Sequence, residues 1–231
     1  MACNFEGHIV FCGWNARGPR LLSQLLASGR QAAVVAESLP DGLPAGVPFV
    51  RGNPSRRESL LEAGLTRAKE AIILGGSEDS QAILTGLAVE AIAPEVYSVM
   101  ELHDPQNECY ARYAHVDDIL YADSLIADIT GICTHYEGLS SFIKDILSTS
   151  DDGHSFASFD VPAEFEGRTV GELFAHFSAQ GLLPVGLIIP PEDKAKAPVS
   201  QWQSCVDPAL DAAVTLPVKA VCIRKNKTAK G

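Results

Sequence analysis

The chain has 231 residues, a hydrophobic content of 46% and a formal net charge of −11, so it is long enough for two domains and a sizeable core. The net negative charge, and the lack of a basic cluster among aromatic residues, argue against nucleic acid as a binding partner. The six cysteines form no C-x-x-C pair, which indicates reduced thiols in a cytosolic protein. No apolar run approaches the ~18 residues of a membrane helix and the first residues do not resemble a signal peptide, so no membrane insertion is expected.

The first apolar run ends in a glycine turn, Gly13-Trp14-Asn15-Ala16-Arg17-Gly18. Its spacing is that of G-x-G-x-x-G, with Asn15 in place of the middle glycine. In such a turn the first glycine permits tight backbone geometry, and the third lets the following helix pack closely on the strand. The N-terminus of that helix offers free N–H groups to a phosphate. The turn therefore predicts a phosphate site, although an altered motif alone does not identify a dinucleotide.

Short apolar runs then alternate with helical patterns. The predicted strands cover 8–13, 31–36, 47–50, 71–74, 96–101 and 118–121, and the predicted helices cover 18–28, 56–63, 78–92 and 106–114. Ser55 is expected to cap the helix over 56–63, and Glu78 and Asp79 suit the N-terminal dipole of the next helix. This alternation is typical of an α/β fold with a parallel sheet covered on both faces.

A long helical pattern over 124–147 is interrupted at Gly138, which predicts two helices joined by a turn. These helices have no obvious place on the finished sheet. An apolar helical arm after the last strand is more naturally an oligomer contact.

A polar stretch over 149–153 is predicted to be a linker. Beyond it, strands over 158–161 and 184–189 surround a helix over 169–178, a polar loop covers 190–198, and one or two strands lie within 213–224. The basic tail over 225–231 is expected to fray. The predicted organisation is a Rossmann-like subdomain over 1–123, a helical arm over 124–148 and a smaller α+β domain over 149–231.

Four segments carry a resemblance to a known family: 8–15, 34–37, 50–55 with the helix to Leu65, and 98–101 through 117–121. They resemble the regulatory RCK (or KTN) domains of potassium-conductance proteins. The segment 159–173 is similar to the C-terminal subdomain of that family. The overall similarity is greatest to the cytoplasmic gating-ring module of calcium- or ligand-gated prokaryotic potassium channels.

The resemblance implies a Rossmann-like subdomain, a crossover arm that clasps a partner subunit, and a C-terminal subdomain. It further implies homodimers that assemble into a ring, often of eight subunits, whose expansion pulls on a channel gate. The expected location is the cytoplasm, attached to the membrane through the channel. The pore is encoded elsewhere or lies on a longer version of the same chain.

Glu37 follows the second strand about 20 residues after the glycine turn, where a carboxylate can bind a ribose diol. A carboxylate there disfavours a 2′-phosphate, so NAD or an adenine mononucleotide is expected rather than NADP. The alternative is a solvated loop acid. Arg17 is a candidate phosphate ligand, or else an exposed arginine at the start of a helix.

Asn53 follows the third strand, and Gly75, Gly76 and Ser77 follow the fourth, at the sheet edge where nucleotides bind. The glycines could equally be simple turn formers. Trp14 departs from the usual nucleotide-binding pattern, and its indole could crowd or reshape the pocket.

Glu101 and His103 end the fifth strand, two positions apart, so an extended backbone points both to one side. The family resemblance implies that Glu101 helps to bind calcium, and we include it among the residues around the cofactor. His103 stands where relatives have a carboxylate and suits a softer metal such as Zn²⁺ better than Ca²⁺. Asp104 is a substitute ligand, and a polar loop without metal is the alternative.

Three functions remain open. The first is a non-enzymatic module that senses a nucleotide or a divalent cation and controls potassium flux through a channel. The second is a peripheral regulatory subunit of a potassium uptake transporter. The third is an NAD-dependent oxidoreductase, which is disfavoured because no tyrosine is followed four residues later by a lysine and no other catalytic cluster is evident.

Overall fold

A computed structural model describes residues 3–76, 78–148, 153–189 and 202–226. The chain divides into two compact units, residues 1–128 and 129–231. That division falls within the helical arm predicted over 124–148, so the proposed domain boundaries remain predictions.

The first unit contains a six-stranded, fully parallel sheet in the order β3-β2-β1-β4-β5-β6. The strands are β1 Ile9–Cys12, β2 Ala32–Ala36, β3 Phe49–Arg51, β4 Glu70–Ile73, β5 Tyr97–Leu102 and β6 Asp118–Tyr121. The parallel, Rossmann-like sheet predicted from the alternating pattern is therefore confirmed. Strand order reverses direction between β1 and β4, the switch point at which open α/β sheets form ligand crevices.

Four helices connect these strands: α1 Gly18–Ala27, α2 Arg57–Glu62, α3 Asp79–Ile92 and α4 Glu108–Tyr113. The connection after β1 runs across the sheet in one direction, whereas the connections after β3, β4 and β5 run in the opposite direction. Right-handed crossovers therefore place α1 on one face of the sheet and α2, α3 and α4 on the other. The core agrees with this: Ile9 and Phe11 pack with Leu22 of α1, whereas Val10 and Cys12 belong to the cluster of α2, α3 and α4.

The start of α2 differs from the prediction. The cap position is Arg56, which makes no side-chain cap bond, and Ser55 does not cap the helix. The Ser55 hydroxyl instead donates to Oδ1 of Asn53 at 2.6 Å. The Ser55 side chain is therefore part of the turn formed by Asn53, one position before the cap position of α2.

The predicted helix pair is present as α5 Ala122–His135 and α6 Leu139–Ile146. Gly138, with φ of +81°, forms the turn between them in the left-handed region that glycine adopts readily. Neither helix has a buried residue in the chain as described. The pair exposes large apolar side chains: Leu125, Ile126, Ile132, Tyr136, Phe142 and Leu147. An oligomer contact through this surface remains a prediction.

The second unit carries an antiparallel sheet in the order β7-β10-β8-β9, with helix α7. Its elements are β7 His154–Asp160, α7 Val170–Ala179, β8 Leu183–Ile189, β9 Gln203–Val206 and β10 Lys219–Lys225. The predicted α+β character is correct, but β9 was not predicted, β7 begins earlier than expected, and Lys225 belongs to β10 rather than to a frayed tail. The loop predicted over 190–198, most of the linker and the end of the tail lie outside the described residues.

A capping box starts α7: the Thr169 hydroxyl accepts from the backbone N–H of Glu172, whose carboxylate accepts from the backbone N–H of Thr169. Among the described residues, no helix has both the length and the apolarity needed to cross a membrane.

Candidate functional site: a cleft at the carboxyl edge of the parallel sheet

Gly13 directly follows β1 and is required by its surroundings. Its φ is +95°, and a Cβ added there would lie 2.2 Å from the carbonyl oxygen of Leu74, which follows β4. The glycine thus allows the backbones after β1 and β4 to approach at the switch point. The role predicted for the first glycine of the motif matches this geometry.

Asn15 ties the turn to the neighbouring strands. Its Nδ2 donates to the carbonyl of Gly75 and to Oε2 of Glu101, both at 3.2 Å. Its Oδ1 accepts from the backbone N–H of Arg17 at 3.0 Å. A middle glycine could make none of these side-chain bonds, so Asn15 gives the turn a fixed connection to β4 and β5.

Trp14 packs over the start of α1. Its ring lies 5.9 Å from that of Phe11, and a Cβ on Gly18 would lie only 2.7 Å from the indole Cδ2. The last glycine of the motif therefore makes room for the indole. Trp14 also lines the cleft described below, and its effect on the shape of the pocket remains a prediction.

Arg17 pairs with a carboxylate in the structure. Its guanidinium forms an ion pair with Glu101, and Nη1 lies 4.0 Å from the carboxylate of Asp123 in the first turn of α5. Both Arg17 and Glu101 line a second, mostly apolar cavity of about 480 Å³ that lies beside α1. The phosphate role predicted for Arg17 remains a prediction, and it would require the side chain to leave this pair.

Glu37 is exposed at the end of β2 and is held from one side. Its Oε1 accepts from Nδ2 of Asn53 at 3.1 Å. Oδ1 of Asn53 in turn accepts from Nε2 of Gln81, in α3, at 3.1 Å. The ends of β2 and β3 and the start of α3 are thereby connected through side chains.

These residues border a cleft of about 580 Å³ at the carboxyl edge of the sheet. Of the predicted site residues, the cleft is lined by Gly13, Trp14, Asn15, Ala16, Glu37 and Gly76. Other lining residues were not predicted: Pro19, Ala36, Ser38, Leu39, Pro40, Asp41, Pro54, Leu74, Gln81 and Thr85. Asn53 and Gly75 contact lining residues through hydrogen bonds, and Ser77 lies outside the described residues. The volume is within the usual range for small-molecule sites.

The predicted cation ligands have other partners. Glu101 is paired with Arg17, while Nε2 of His103 donates to the carbonyl of Gly76 at 2.8 Å and its Nδ1 lies 3.4 Å from the Asp123 carboxylate. The described residues contain no group of three or more His, Cys, Asp or Glu that could hold a metal ion. The cation roles of Glu101 and His103 remain predictions, and they would require the Glu101 carboxylate to leave its pair with Arg17.

Asp79, the first residue of α3, has a structural role that the sequence did not indicate. Its carboxylate accepts from the backbone N–H groups of His103 and Asp104 and from Nδ2 of Asn107, at 2.8–2.9 Å. Burial alone would raise the pKa of Asp79, but these hydrogen bonds lower it below its usual value. Asp79 therefore braces the segment after β5. The sequence suggested only a charge suited to the helix dipole.

Comparison with known proteins was consistent with this architecture. The TrkA-N domain model matches residues 9–122. One relative, the putative potassium channel protein YugO of Bacillus subtilis, is 28% identical over 139 residues, which are 56% of this chain and 42% of the relative. The calcium-gated potassium channel TvoK of Thermoplasma volcanium is 23% identical over 202 residues, which are 83% of this chain and 56% of the relative. The chain thus spans about half the length of these curated relatives.

Solved structures with a similar fold include the human SLO3 gating ring, with a TM-score of 0.76 and 16% identity, covering 98% of this chain and 49% of that one. The GsuK channel bound to NAD aligns with a TM-score of 0.50 and 18% identity, covering 96% of this chain and 37% of that one. At these identities the similarity concerns the fold.

Proposed function

We propose that the chain, whose residues 9–122 match the TrkA-N domain model, is a regulatory RCK domain that senses a nucleotide and thereby regulates potassium flux through a channel pore. One observation carries the proposal: an open cleft at the switch point combines the Gly13 turn with the Glu37 carboxylate, which Asn53 holds in place. A phosphate and a ribose diol require these two elements on one edge of the sheet.

The expected ligand is NAD or an adenine mononucleotide. Its phosphate would lie against the turn between β1 and α1, where the backbone N–H of Ala16 has no partner among the described residues. Its ribose hydroxyls would donate to Glu37, and the apolar walls formed by Leu39 and Pro54 would cover the base. The GsuK structure with NAD supports the same class of ligand.

The same turn provides a route from the ligand to the helical arm. Asn15 contacts Glu101, Glu101 pairs with Arg17, and Arg17 lies near Asp123 at the start of α5. A ligand that binds one arrangement of this turn more tightly than another would shift the population of arm positions. The free energy available for gating is the difference between the binding free energies of the ligand for the two arrangements.

Thermal unfolding with a ligand panel tests the proposal. The purified chain is heated with NAD⁺, NADP⁺, AMP, ADP, ATP, Ca²⁺ or Zn²⁺, and a ligand at 100 times its Kd adds about 2.7 kcal/mol of stability. We expect NAD⁺ or an adenine mononucleotide to raise the Tm and Glu37→Gln to weaken binding about tenfold, since it removes the charge from a charge-assisted hydrogen bond. Glu95→Gln is the matched control, because Glu95 is exposed just before the amino end of β5.

The panel also separates the alternatives. If no nucleotide raises the Tm, the proposed function fails. If only Ca²⁺ or Zn²⁺ raises it, the sensor responds to cations and the cleft is not its ligand site. Consumption of NADH with an added substrate would favour the oxidoreductase alternative instead.

We propose further that homodimers of the chain assemble into a ring beneath a membrane pore, on the cytoplasmic side, with the pore on the same longer chain or on a separate one. The apolar side chains exposed on α5 and α6 support an assembly of this kind. Light scattering of the purified chain should give a mass of at least two chains. A strict monomer at high concentration would contradict the assembly.

A further inference from the structure

The orientation of Asn53 is set by three donors that converge on one atom. Its Oδ1 accepts from the backbone N–H of Ser55 at 2.8 Å, from the Ser55 hydroxyl at 2.6 Å and from Nε2 of Gln81 at 3.1 Å. An amide oxygen surrounded by donors cannot exchange places with the amide nitrogen. The Nδ2 group must therefore point the other way, toward Glu37.

Glu37 depends on that Nδ2 group for its position. The side chain is exposed at the end of β2, and among the described residues the amide of Asn53 is its hydrogen-bond partner, at 3.1 Å from Oε1. A free glutamate would sample several rotamers and would lose that freedom on binding a ligand. With Oε1 held by Asn53, Oε2 is left to accept from a ligand.

We propose that Asn53, fixed by Gln81 and Ser55, is a positioning residue that holds Glu37 ready for a ribose diol. This inference rests on the proposed nucleotide function and adds to it a determinant of specificity. The network, rather than Glu37 alone, sets the preference for a ribose with a free 2′-hydroxyl over one with a 2′-phosphate. A carboxylate that cannot swing away repels the phosphate more strongly than a mobile one.

Asn53→Asp is the sharpest single test because it changes only the atom that faces Glu37. The Oδ1 that accepts from Ser55 and Gln81 is retained, so the turn should fold. The donor toward Glu37 becomes an acceptor, and two carboxylates then face each other. We expect the affinity for NAD⁺ to fall about tenfold, as measured by calorimetry. Asn53→Ala frees Glu37 without adding a charge and should lower the ratio of NAD⁺ to NADP⁺ affinity. Asn4→Asp makes the same chemical change at an exposed site near the amino edge and should alter neither value.

The double variant Asn53→Asp with Glu37→Gln distinguishes positioning from a general effect. The new amide at position 37 can donate to the new carboxylate at position 53, which restores the bond with its direction reversed. If the two single losses were independent, the double variant would bind NAD⁺ about 100-fold more weakly than the wild type. We expect a clearly smaller loss, because the two residues act through one contact.

Two results would overturn the inference, and they differ from each other. If NAD⁺ binds the wild-type chain and the two losses multiply without rescue, Asn53 does not act through Glu37, and the proposed function stands without the positioning role. If no nucleotide of the panel binds the wild-type chain, the proposed function fails and the positioning role fails with it.

Discussion

Acidic side chains gather at both edges of the parallel sheet, but in opposite settings. At the carboxyl edge, Glu37 accepts from the amide of Asn53, and Glu101 has Arg17 and Asn15 as partners. At the amino edge, Glu90 and Asp117 converge on Ser98 without a cation: in the chain as described, neither forms an ion pair with a lysine or arginine.

Ser98 is the centre of the amino-edge group, and it is completely buried. Its hydroxyl donates to Oε1 of Glu90 at 2.5 Å, and its backbone N–H donates to Oδ2 of Asp117 at 2.8 Å. Burial, with a further contribution from the nearby Asp117, raises the pKa of Glu90 to about 7. Burial also raises the pKa of Asp117. A single hydroxyl proton cannot satisfy two charged carboxylates.

The difference between the edges shows what a carboxylate needs in order to stay charged. At the carboxyl edge, amide and guanidinium donors compensate the charges, and a ligand can use a carboxylate oxygen that remains free. Around Ser98 a proton supplies the compensation, so Glu90 holds α3 to β5 best in its neutral form. The first arrangement suits binding and the second suits packing.

The largest expected effect on stability comes from a substitution at Gly13, at the carboxyl edge of the sheet. Gly13→Ala would place a Cβ 2.2 Å from the Leu74 carbonyl oxygen, at φ of +95°. We expect a loss of about 3–5 kcal/mol from the free energy of unfolding, combining backbone strain and overpacking. Urea unfolding followed by circular dichroism measures it. Gly76→Ala is the matched control, because nothing lies within 4 Å of its added Cβ. Equal stability of the two variants would contradict the close approach after β1 and β4.

A smaller loss is expected from neutralising Glu101, which is 8% exposed. Glu101→Gln leaves the Arg17 guanidinium with only the more distant carboxylate of Asp123, at 4.0 Å, as a counter-charge. Because the Arg17 side chain is 41% exposed and water screens it in part, we expect about 1–2 kcal/mol of destabilisation rather than the full cost of a buried unpaired charge.

The double variant Glu101→Gln with Arg17→Met checks that cause. Removing this cation should return part of the lost stability in the same urea measurement. Additive losses would mean that Arg17 and Glu101 do not stabilise each other.

The sequence was sufficient for the order of elements because each buried strand is a short apolar run between turn residues, and β1 and β2 are buried throughout. It also identified the edge that carries the cleft, since Gly13, Glu37 and Gly76 all follow strands of one parallel sheet. The family resemblance inferred from four segments was confirmed by the TrkA-N match.

The contacts within the site could not be read from the sequence in the same way. Arg17 meets Glu101 only because β4 alone separates β1 from β5, and Asn53 reaches Glu37 only because β2 and β3 are neighbours. The local sequence pattern places each residue at the end of a strand, but it does not show which residue of another strand lies in contact with it. For this reason the sequence predicted a phosphate role for Arg17 and a calcium role for Glu101 but not the ion pair between them, and both roles remain predictions. The role of Asp79 was missed on the same grounds.

The amino edge gives an effect similar in size to that of Glu101→Gln but of opposite sign, and only at high pH. The pKa of Glu90 is raised from 4.5 to about 7 in the folded chain, so the contribution of Glu90 to stability is fully present below pH 4.5 and is lost as the pH rises through about 7. Glu90→Gln accepts the Ser98 bond but cannot ionise. The free energy that corresponds to this pKa shift is reduced by solvent screening, because the Glu90 side chain is only half-buried. The variant should therefore be about 1–2 kcal/mol more stable than the wild type at pH 8 and nearly equal to it at pH 4.5. Urea unfolding at both pH values measures this, and Glu95→Gln, exposed at the same edge, should show no pH-dependent difference from the wild type. A loss of stability at pH 8 would mean that Glu90 is held as a charged group, and the contrast between the two edges would disappear.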